Sequence, residues 1–320
     1  MRRERGRRQW WRWATAAVVA GSLGVACSSA EKAAPAPTTR SLTVATYPRD
    51  GVEAPPATFP PPEGFEGTVS ITANLPYTTS QRGFDLYRPL RSGSFPLVVL
   101  FPGRASDKSL YGQVAASIAE RDVIVAVPDY KATLEDPADE ARCAIAAIGD
   151  VVATKIGEPT QLVLAGYAFG AVVALGEGLG GPWATAPVDR ATCPAPPSSR
   201  PVHAVVGIAG DYDRFGPGGS ADPTGTWSPY FQLGASSVPV RLVHGSRDAL
   251  DVGPEVSEAL AAALDAAGHP FELRVEASVA NLELAGLSVD AAAGTFAPLD
   301  LADDHRGVDV VVEEVLAALG

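Results

Sequence analysis

The sequence predicts an α/β fold with a mostly parallel central sheet and helices on both of its faces. Short apolar segments without polar alternation, such as LVVLF at 97–101 and VIVAV at 123–127, are typical of strands that are buried on both faces. These segments alternate with helical stretches from about residue 67 onward, which is the pattern of a parallel sheet. Because 46% of the 320 residues are apolar and 19% are charged, the chain can bury a large core.

Each predicted strand is a short apolar run that ends near glycine, proline or a polar residue. Strands are predicted over 97–101, 123–127, 161–165, 202–208, 240–244 and 271–275. Helices are predicted over 108–120, 138–155, from a turn at 166–170 to about 179, over 254–267 and over 308–319. The helix over 254–267 has the clearest signals, because Pro254 stands at its start, apolar residues recur on one face and Gly268 follows its end.

Charge and composition exclude several classes of function. The net charge of −12 argues against a nucleic-acid partner, because nucleic-acid binding needs clustered lysine and arginine. The chain has three cysteines and four histidines, and no two histidines stand at a metal-ligand spacing. We therefore predict neither a metal nor another cofactor.

The N-terminal segment has the pattern of an export signal. Six arginines fall within the first twelve residues, and an apolar stretch follows over 13–26. The small residues before Cys27 resemble the lipobox of bacterial lipoproteins, and the arginine pair at 7–8 resembles a twin-arginine signal. We expect residues 1–26 to be the signal peptide, Cys27 to be lipidated, and 27–66 to form a proline-rich tether before a domain over 67–320. The protein would then be exported and anchored in the envelope through its lipid alone. A plain secretory signal is the alternative.

The motif GYAFG at 166–170 lies between a predicted strand and a predicted helix, which is the context of the nucleophile elbow G-x-S-x-G. FDLYRP precedes the 97–101 strand, PDY follows the next strand, and HGSRD at 244–248 ends a later one. In this order the motifs resemble the α/β-hydrolase superfamily, in particular its small bacterial carboxylesterases and its feruloyl-esterase-like or kynurenine-formamidase-like members. The resemblance extends over about 70–320.

The resemblance implies a catalytic site whose chemistry is incomplete. The nucleophile position is Ala168, which has no attacking atom, and the histidine position is Asn281, which cannot act as a base at neutral pH. The acid position, Asp248, is retained. Gly103 and the backbone N–H of Phe169 are the candidates for an oxyanion hole. His244 is expected to pack in its turn and His305 to lie on the surface.

A long loop over 211–237 is rich in aromatic residues and follows a predicted strand. It is expected either to line a binding cleft or to be fixed to the domain by its own aromatic side chains. The candidate pocket residues there and in neighbouring turns are Arg104, Tyr167, Tyr212, Trp227, Tyr230 and Phe231.

Three functions remain open from the sequence. The first is a hydrolase-like protein that binds a small-molecule or ester-like ligand, or a partner, without serine-hydrolase activity. The second is an active ester hydrolase that uses a non-standard site, and the third is a structural envelope lipoprotein. Removal of 1–26 and lipidation of Cys27 would leave Cys143 and Cys193, which could pair in an oxidising compartment. The oligomeric state is left open.

Overall fold

The computed structural model describes most of the region from Phe65 to the C-terminus. The described residues are 65, 67–77, 82–103, 107–130, 138–180, 193, 200–212, 233, 236–247, 253–290, 295–299 and 305–320. The predicted signal peptide over 1–26, Cys27 and almost all of the predicted tether lie outside the described residues. Apart from Phe65, all described residues fall within the domain predicted over 67–320.

Eight strands form one sheet with the order β1-β2-β4-β3-β5-β6-β7-β8. The strands are β1 (Val69–Pro76), β2 (Gly83–Pro89), β3 (Leu97–Phe101), β4 (Ile124–Pro128), β5 (Leu162–Tyr167), β6 (Ala204–Ile208), β7 (Val240–Arg247) and β8 (Phe271–Ala280). β2 runs antiparallel to both β1 and β4, whereas all pairs from β4 to β8 are parallel. The predicted fold class is confirmed, and each predicted strand is present.

Six α-helices and a short hairpin complete the described part of the chain. The helices are α1 (Gly112–Ala119), α2 (Ala138–Lys155), α3 (Phe169–Gly178), α4 (Glu255–Ala266), α5 (Asn281–Leu284) and α6 (Arg306–Leu319), and the hairpin strands are β9 (Leu287–Asp290) and β10 (Thr295–Pro298). The helix predicted over 108–120 is divided into a 3-10 turn, Lys108–Tyr111, and α1. None of the helices in these ranges is both long and apolar enough to cross a membrane.

Side chains from the two faces of the sheet enter two separate cores. In β3, Leu97, Val99 and Phe101 pack in the core that contains α2, α3 and α4. Val98 and Leu100 pack in the opposite core, with α1 and α6. Because both faces of the strand are covered, all five residues must be apolar, and this explains the unbroken LVVLF run.

A disulfide joins α2 to a distant part of the chain. Cys143 and Cys193, which are 50 residues apart, have their Sγ atoms 2.09 Å apart and their Cα atoms 5.6 Å apart. Both residues are buried, with 2% of their surface exposed. The pairing considered from the sequence is therefore present in the fold.

Candidate functional site at the carboxyl edge of the sheet

The turn between β5 and α3 has the geometry of a strained elbow. Its central residue, Ala168, has φ 50° and ψ −115°, a conformation that side-chain-bearing residues rarely adopt. The Ala168 N–H donates to the carbonyl oxygen of Ile208 in β6 at 2.9 Å, and the Ala168 carbonyl accepts from the N–H of Ala171 at 3.1 Å. Hydrogen bonds on both sides hold a conformation that costs about 1–3 kcal/mol.

The two glycines of the motif are required by crowding. A Cβ atom at Gly166 would lie 2.0 Å from the carbonyl oxygen of Gly170. A Cβ atom at Gly170 would lie 2.2 Å from the carbonyl oxygen of Phe101 and 2.5 Å from that of Pro102. Since all three contacts are with backbone, no side-chain movement could relieve them. The G-x-x-x-G pattern thus packs α3 directly against the loop after β3.

The residue at the centre of the elbow, Ala168, lies at the start of a helix but has no nucleophilic atom. Ala168 is half-buried, and Phe169 immediately begins α3. The N-terminus of a helix favours negative charge on a nearby group. The Ala168 methyl group, however, can neither attack a carbonyl carbon nor donate a hydrogen bond.

The loop after β3 is held by the hydroxyl groups of two tyrosines. The Gly103 N–H donates to Tyr111 Oη at 2.9 Å, and Tyr130 Oη donates to the Pro102 carbonyl at 2.8 Å. Both polar groups of the Pro102–Gly103 peptide are therefore hydrogen-bonded within the protein. The prediction that Gly103 supplies an oxyanion-hole donor needs correction, because a ligand oxygen would have to displace the Tyr111 hydroxyl.

A buried charge cluster lies beside this loop. Lys108 Nζ is 2.7 Å from Asp129 Oδ2 and 3.9 Å from Asp85 Oδ1, and the Asn74 N–H donates to Asp85 Oδ1 at 2.9 Å. Burial raises the pKa of Asp85, more than the Asn74 hydrogen bond and the Lys108 charge lower it. Burial lowers the pKa of Lys108, but its hydrogen bond to Asp129 and the neighbouring carboxylates raise the pKa above its usual value overall. The cluster fixes the turn that carries Tyr111.

The structure places Asn281 directly after β8, but its side chain points into the protein. Asn281 Oδ1 accepts from the Gly245 N–H at 2.9 Å, and Asn281 Nδ2 is 3.1 Å from His244 Nε2. His244 Nδ1 is in turn 2.9 Å from Ser257 Oγ. Because the amide oxygen is taken by an N–H donor, Nδ2 donates to Nε2, and the His244 Nδ1–H then donates to the serine hydroxyl.

This arrangement gives the Asn281 side chain a structural role. The side chain is 4% exposed and His244 is completely buried, so the chain of hydrogen bonds is part of the core. Asn281 therefore links β7, β8 and α4. His244 packs in its turn, as expected. His305 lies at the exposed start of α6, with its Nε2 3.5 Å from Asp309 Oδ2. Asp248 lies outside the described residues.

Of the predicted pocket residues, Tyr212 needs correction. It is completely buried, and a Cβ atom at Gly207 would lie 2.0 Å from its hydroxyl oxygen. Tyr212 is thus a core residue packed against the glycines of the β6 turn. Tyr167 is 7% exposed, and its ring centroid is 5.9 Å from that of Tyr111. The remaining candidates, Arg104, Trp227, Tyr230 and Phe231, lie outside the described residues.

Within the described ranges, no group of three or more histidine, cysteine, aspartate or glutamate side chains is arranged to hold a metal ion. The polar groups of Gly103, Asp129 and Asn281 are instead paired with other groups of the protein. In sequence, only the PDY segment at 128–130 pointed toward Asp129 and Tyr130, because it directly follows a strand. No local pattern marked Lys108 or Tyr111.

The strand order, the helices on both faces and the strained turn after β5 define the α/β-hydrolase fold. Solved structures of bacterial esterases are similar. Esterase 2 of the planctomycete Thermogutta terrifontis is 19% identical, with a TM-score of 0.57 over 81% of this chain and 95% of that one. Esterase B of Lactobacillus rhamnosis is 11% identical, with a TM-score of 0.60 over 79% and 87%. A truncated carbohydrate esterase from gut microbiota is 15% identical, with a TM-score of 0.60 over 79% and 98%.

No protein-family model matches the sequence, and no curated protein matches it either. At these low identities, the similarity to the esterases establishes the fold of the chain and leaves its chemistry to be argued from its own residues.

Proposed function

We propose that this protein is an exported, lipid-anchored binding protein that keeps the α/β-hydrolase scaffold without serine-hydrolase activity. Its ligand would be a small ester-like molecule held above the elbow at the carboxyl edge of the sheet. The observation that carries the proposal is Ala168 at the centre of a fully formed elbow.

The absence of a nucleophile is expected to lower the rate of ester hydrolysis greatly. Removal of the nucleophile from a serine-hydrolase triad costs a factor of about 10⁶ in kcat. The histidine position offers no replacement base, since the Asn281 side chain is hydrogen-bonded to Gly245 and His244 inside the protein. The residual effects of binding and charge stabilisation do not by themselves give useful turnover.

The chemistry of the edge favours a neutral ligand with a polar carbonyl group. The start of α3 lies at the elbow and favours partial negative charge, such as that of an ester oxygen. The net charge of −12 disfavours a fully anionic ligand at long range. The structurally similar proteins are esterases, which supports an ester-like ligand for this chain.

Labelling with a fluorophosphonate probe tests the proposed absence of serine-hydrolase activity. The wild-type protein is expected to remain unlabelled and to show no turnover of 4-nitrophenyl butyrate above background. Ala168→Ser is the matched control, and it should gain little, because a serine hydroxyl without an adjacent base is a weak nucleophile. Robust wild-type labelling would contradict the proposal and favour an ester hydrolase with a non-standard site.

Thermal denaturation tests ligand binding. Since the wild-type protein should leave 4-nitrophenyl butyrate intact, this ester can serve as a binding probe. A ligand at 100 times its Kd stabilises the folded state by about 2.7 kcal/mol. Ala168→Leu, which places a larger side chain at the centre of the elbow, should abolish the stabilisation. Equal stabilisation of both proteins would place binding elsewhere, and absence of stabilisation in both would favour a structural envelope protein.

Export and anchoring are proposed from the arginine-rich start, the apolar segment and Cys27. The buried disulfide between Cys143 and Cys193 supports an oxidising compartment, where disulfides form and persist. Intact mass spectrometry of the membrane fraction should find a diacylglyceryl adduct on a chain that begins at Cys27. Cys27→Ser should lose the adduct, whereas a wild-type chain cut elsewhere would contradict anchoring.

A further inference from the structure

A backbone N–H group lies beside the elbow, in the loop after β3. β3 and β5 pair in parallel, with Phe101 opposite Gly166. Gly103 and Ala168, each two residues further along, therefore leave the sheet side by side at its carboxyl edge. A Cβ atom at Gly170 would lie 2.2 Å from the Phe101 carbonyl oxygen, so this loop touches the start of α3. The Gly103 N–H is thus close to the space that an ester carbonyl would occupy at Ala168.

The Tyr111 hydroxyl already occupies this N–H donor. The Gly103 N–H donates to Tyr111 Oη at 2.9 Å, and both residues are buried. An oxyanion hole places its donors about 2.7–3.1 Å from the oxygen that becomes charged. The Tyr111 oxygen therefore lies where a substrate oxygen would have to lie for Gly103 to stabilise it. The Tyr111 ring centroid is 5.9 Å from that of Tyr167, and Tyr111 packs in the same core as Ala168.

The turn that carries Tyr111 is fixed by a side-chain cap and by a buried charge. At the start of this 3-10 turn, Asp107 Oδ1 accepts from the Ser109 N–H at 2.7 Å. Lys108 is buried, and its Nζ lies 2.7 Å from Asp129 Oδ2. Because both the turn and the tyrosine ring are packed, an incoming oxygen has to compete with a hydroxyl that the fold holds in place.

We propose that the Tyr111 hydroxyl is an autoinhibitory contact that closes the oxyanion hole of this elbow. This role rests on the proposed function and deepens it, because the contact blocks ester hydrolysis separately from the missing nucleophile at Ala168. A nucleophile placed at residue 168 should attack ester carbonyls slowly as long as the Tyr111 hydroxyl is present. Removal of this hydroxyl should uncover the Gly103 N–H and speed the attack.

A cysteine at the elbow supplies the nucleophile for the test. Ala168→Cys places a thiol at the start of α3, where the helix favours the thiolate, and a thiolate needs no adjacent base. The thiolate attacks the carbonyl carbon of 4-nitrophenyl butyrate, and an electron pair of the carbonyl moves to its oxygen. When this oxyanion collapses, the bond to the 4-nitrophenyl oxygen breaks and 4-nitrophenolate leaves with the bonding pair. Each chain thus releases one equivalent of 4-nitrophenolate and keeps a butyryl thioester.

The rate of this single turnover measures the oxyanion hole. Tyr111→Phe in the Ala168→Cys background should raise the rate about 100-fold, which is the usual effect of one oxyanion-hole donor. Tyr87→Phe in the same background is the matched control, because Tyr87 is another buried tyrosine of the same core, and it should leave the rate unchanged. The wild-type chain, measured in parallel, accounts for reaction at any other cysteine.

Alkylation by iodoacetamide separates the oxyanion effect from a change in exposure of the thiol. Here the thiolate displaces iodide from a CH₂ group and no oxyanion forms, so Tyr111→Phe should leave the alkylation rate unchanged. An acylation rate that Tyr111→Phe leaves equal or lowers would overturn the proposal, and a lower rate would show that the hydroxyl itself donates to the oxyanion. Equal acceleration of both reactions would also overturn it, because the variant would then only expose residue 168.

Hydrogen exchange of the Gly103 amide tests the contact without the new cysteine. In the otherwise wild-type chain, Tyr111→Phe should speed this exchange about tenfold relative to the Gly166 amide in β5, as expected for the loss of one hydrogen bond. Thermal unfolding shows that the variant remains folded, and unchanged exchange of the Gly103 amide would contradict the proposal. Ligand stabilisation of the wild type uses none of these variants, so the proposed function and the closed oxyanion hole can fail separately.

Discussion

Replacement of Ala168 by glycine should stabilise the protein, although glycine usually destabilises. Ala168 has φ 50° and ψ −115°, and a residue with a Cβ atom pays about 1–3 kcal/mol in such a region. Glycine relieves this strain, but its greater freedom in the unfolded chain costs about 0.5–1 kcal/mol. Loss of a half-buried methyl group costs about 0.4 kcal/mol, half the value for a fully buried one. We expect a net gain of about 1 kcal/mol.

Denaturant-induced unfolding measures this gain, and a thermal midpoint shift of about 2–4 °C should accompany it in a domain of this size. Ala174→Gly is the matched control, since Ala174 is completely buried within α3 and has no strain to relieve. Helix propensity and the lost buried methyl group together predict a loss of about 2 kcal/mol there. If Ala168→Gly destabilises as much as the control, the elbow is not strained and the reasoning fails.

Three further outcomes are expected. Replacement of Cys143 and Cys193 by serine should lower the free energy of unfolding by about 4 kcal/mol in the chain-entropy model for a 50-residue separation, and reduction of the wild type should give the same loss. Gly170→Ala should lower the free energy of unfolding by about 3 kcal/mol or more, because the new Cβ atom meets backbone oxygens. Gly149→Ala is the control, since its new Cβ atom would have its nearest contact at 3.7 Å; in urea unfolding it should be neutral or slightly stabilising. The pKa of Asp85 is raised in the folded state, so protonation of this carboxyl favours folding. The free energy of unfolding of the wild type, relative to that of Asp85→Asn, should therefore rise as the pH falls from neutral toward 3.8. A difference that does not change with pH would contradict the raised pKa.

The parallel part of the sheet was predictable because burial on both faces leaves a strong signal in the sequence. The five residues of β3 are divided between two cores, so none of them can be polar. The glycines of the elbow were predictable for a related reason. Gly166 and Gly170 lie against backbone, and only glycine fits there.

The antiparallel end of the sheet left a weaker signal. β1 lies at an edge, and its burial is irregular, with exposed residues at Thr72, Ala73 and Asn74. Its register against β2 also shifts between Thr72 and Leu75. Without a regular alternation, neither periodicity nor composition distinguishes such a strand from the preceding proline-rich segment.

The hydrogen bonds of the site depend on three-dimensional proximity. Tyr111 and Gly103 are eight residues apart in the chain, while Tyr130 reaches back 28 residues to Pro102. Nothing in the local sequence of either tyrosine indicates that its hydroxyl meets the loop after β3. The sequence could therefore place Gly103 near the elbow, but it could not show that its N–H was already occupied.

Asn281 shows that a sequence can give the place of a residue in the fold without giving its contacts. Its place after β8 agrees with the position that the α/β-hydrolase resemblance assigned to a histidine, but its amide satisfies the Gly245 N–H and contacts His244 in the core. Asn281→His in an Ala168→Ser background should therefore fail to add a base. It should instead orphan a buried N–H, which costs about 1–3 kcal/mol, and crowd a packed site, which costs about as much again. The free energy of unfolding of the double variant should be about 2–6 kcal/mol lower than that of Ala168→Ser, and the double variant should turn over 4-nitrophenyl butyrate no faster. Faster turnover at unchanged stability would contradict this expectation and show that a histidine at residue 281 can turn toward the elbow.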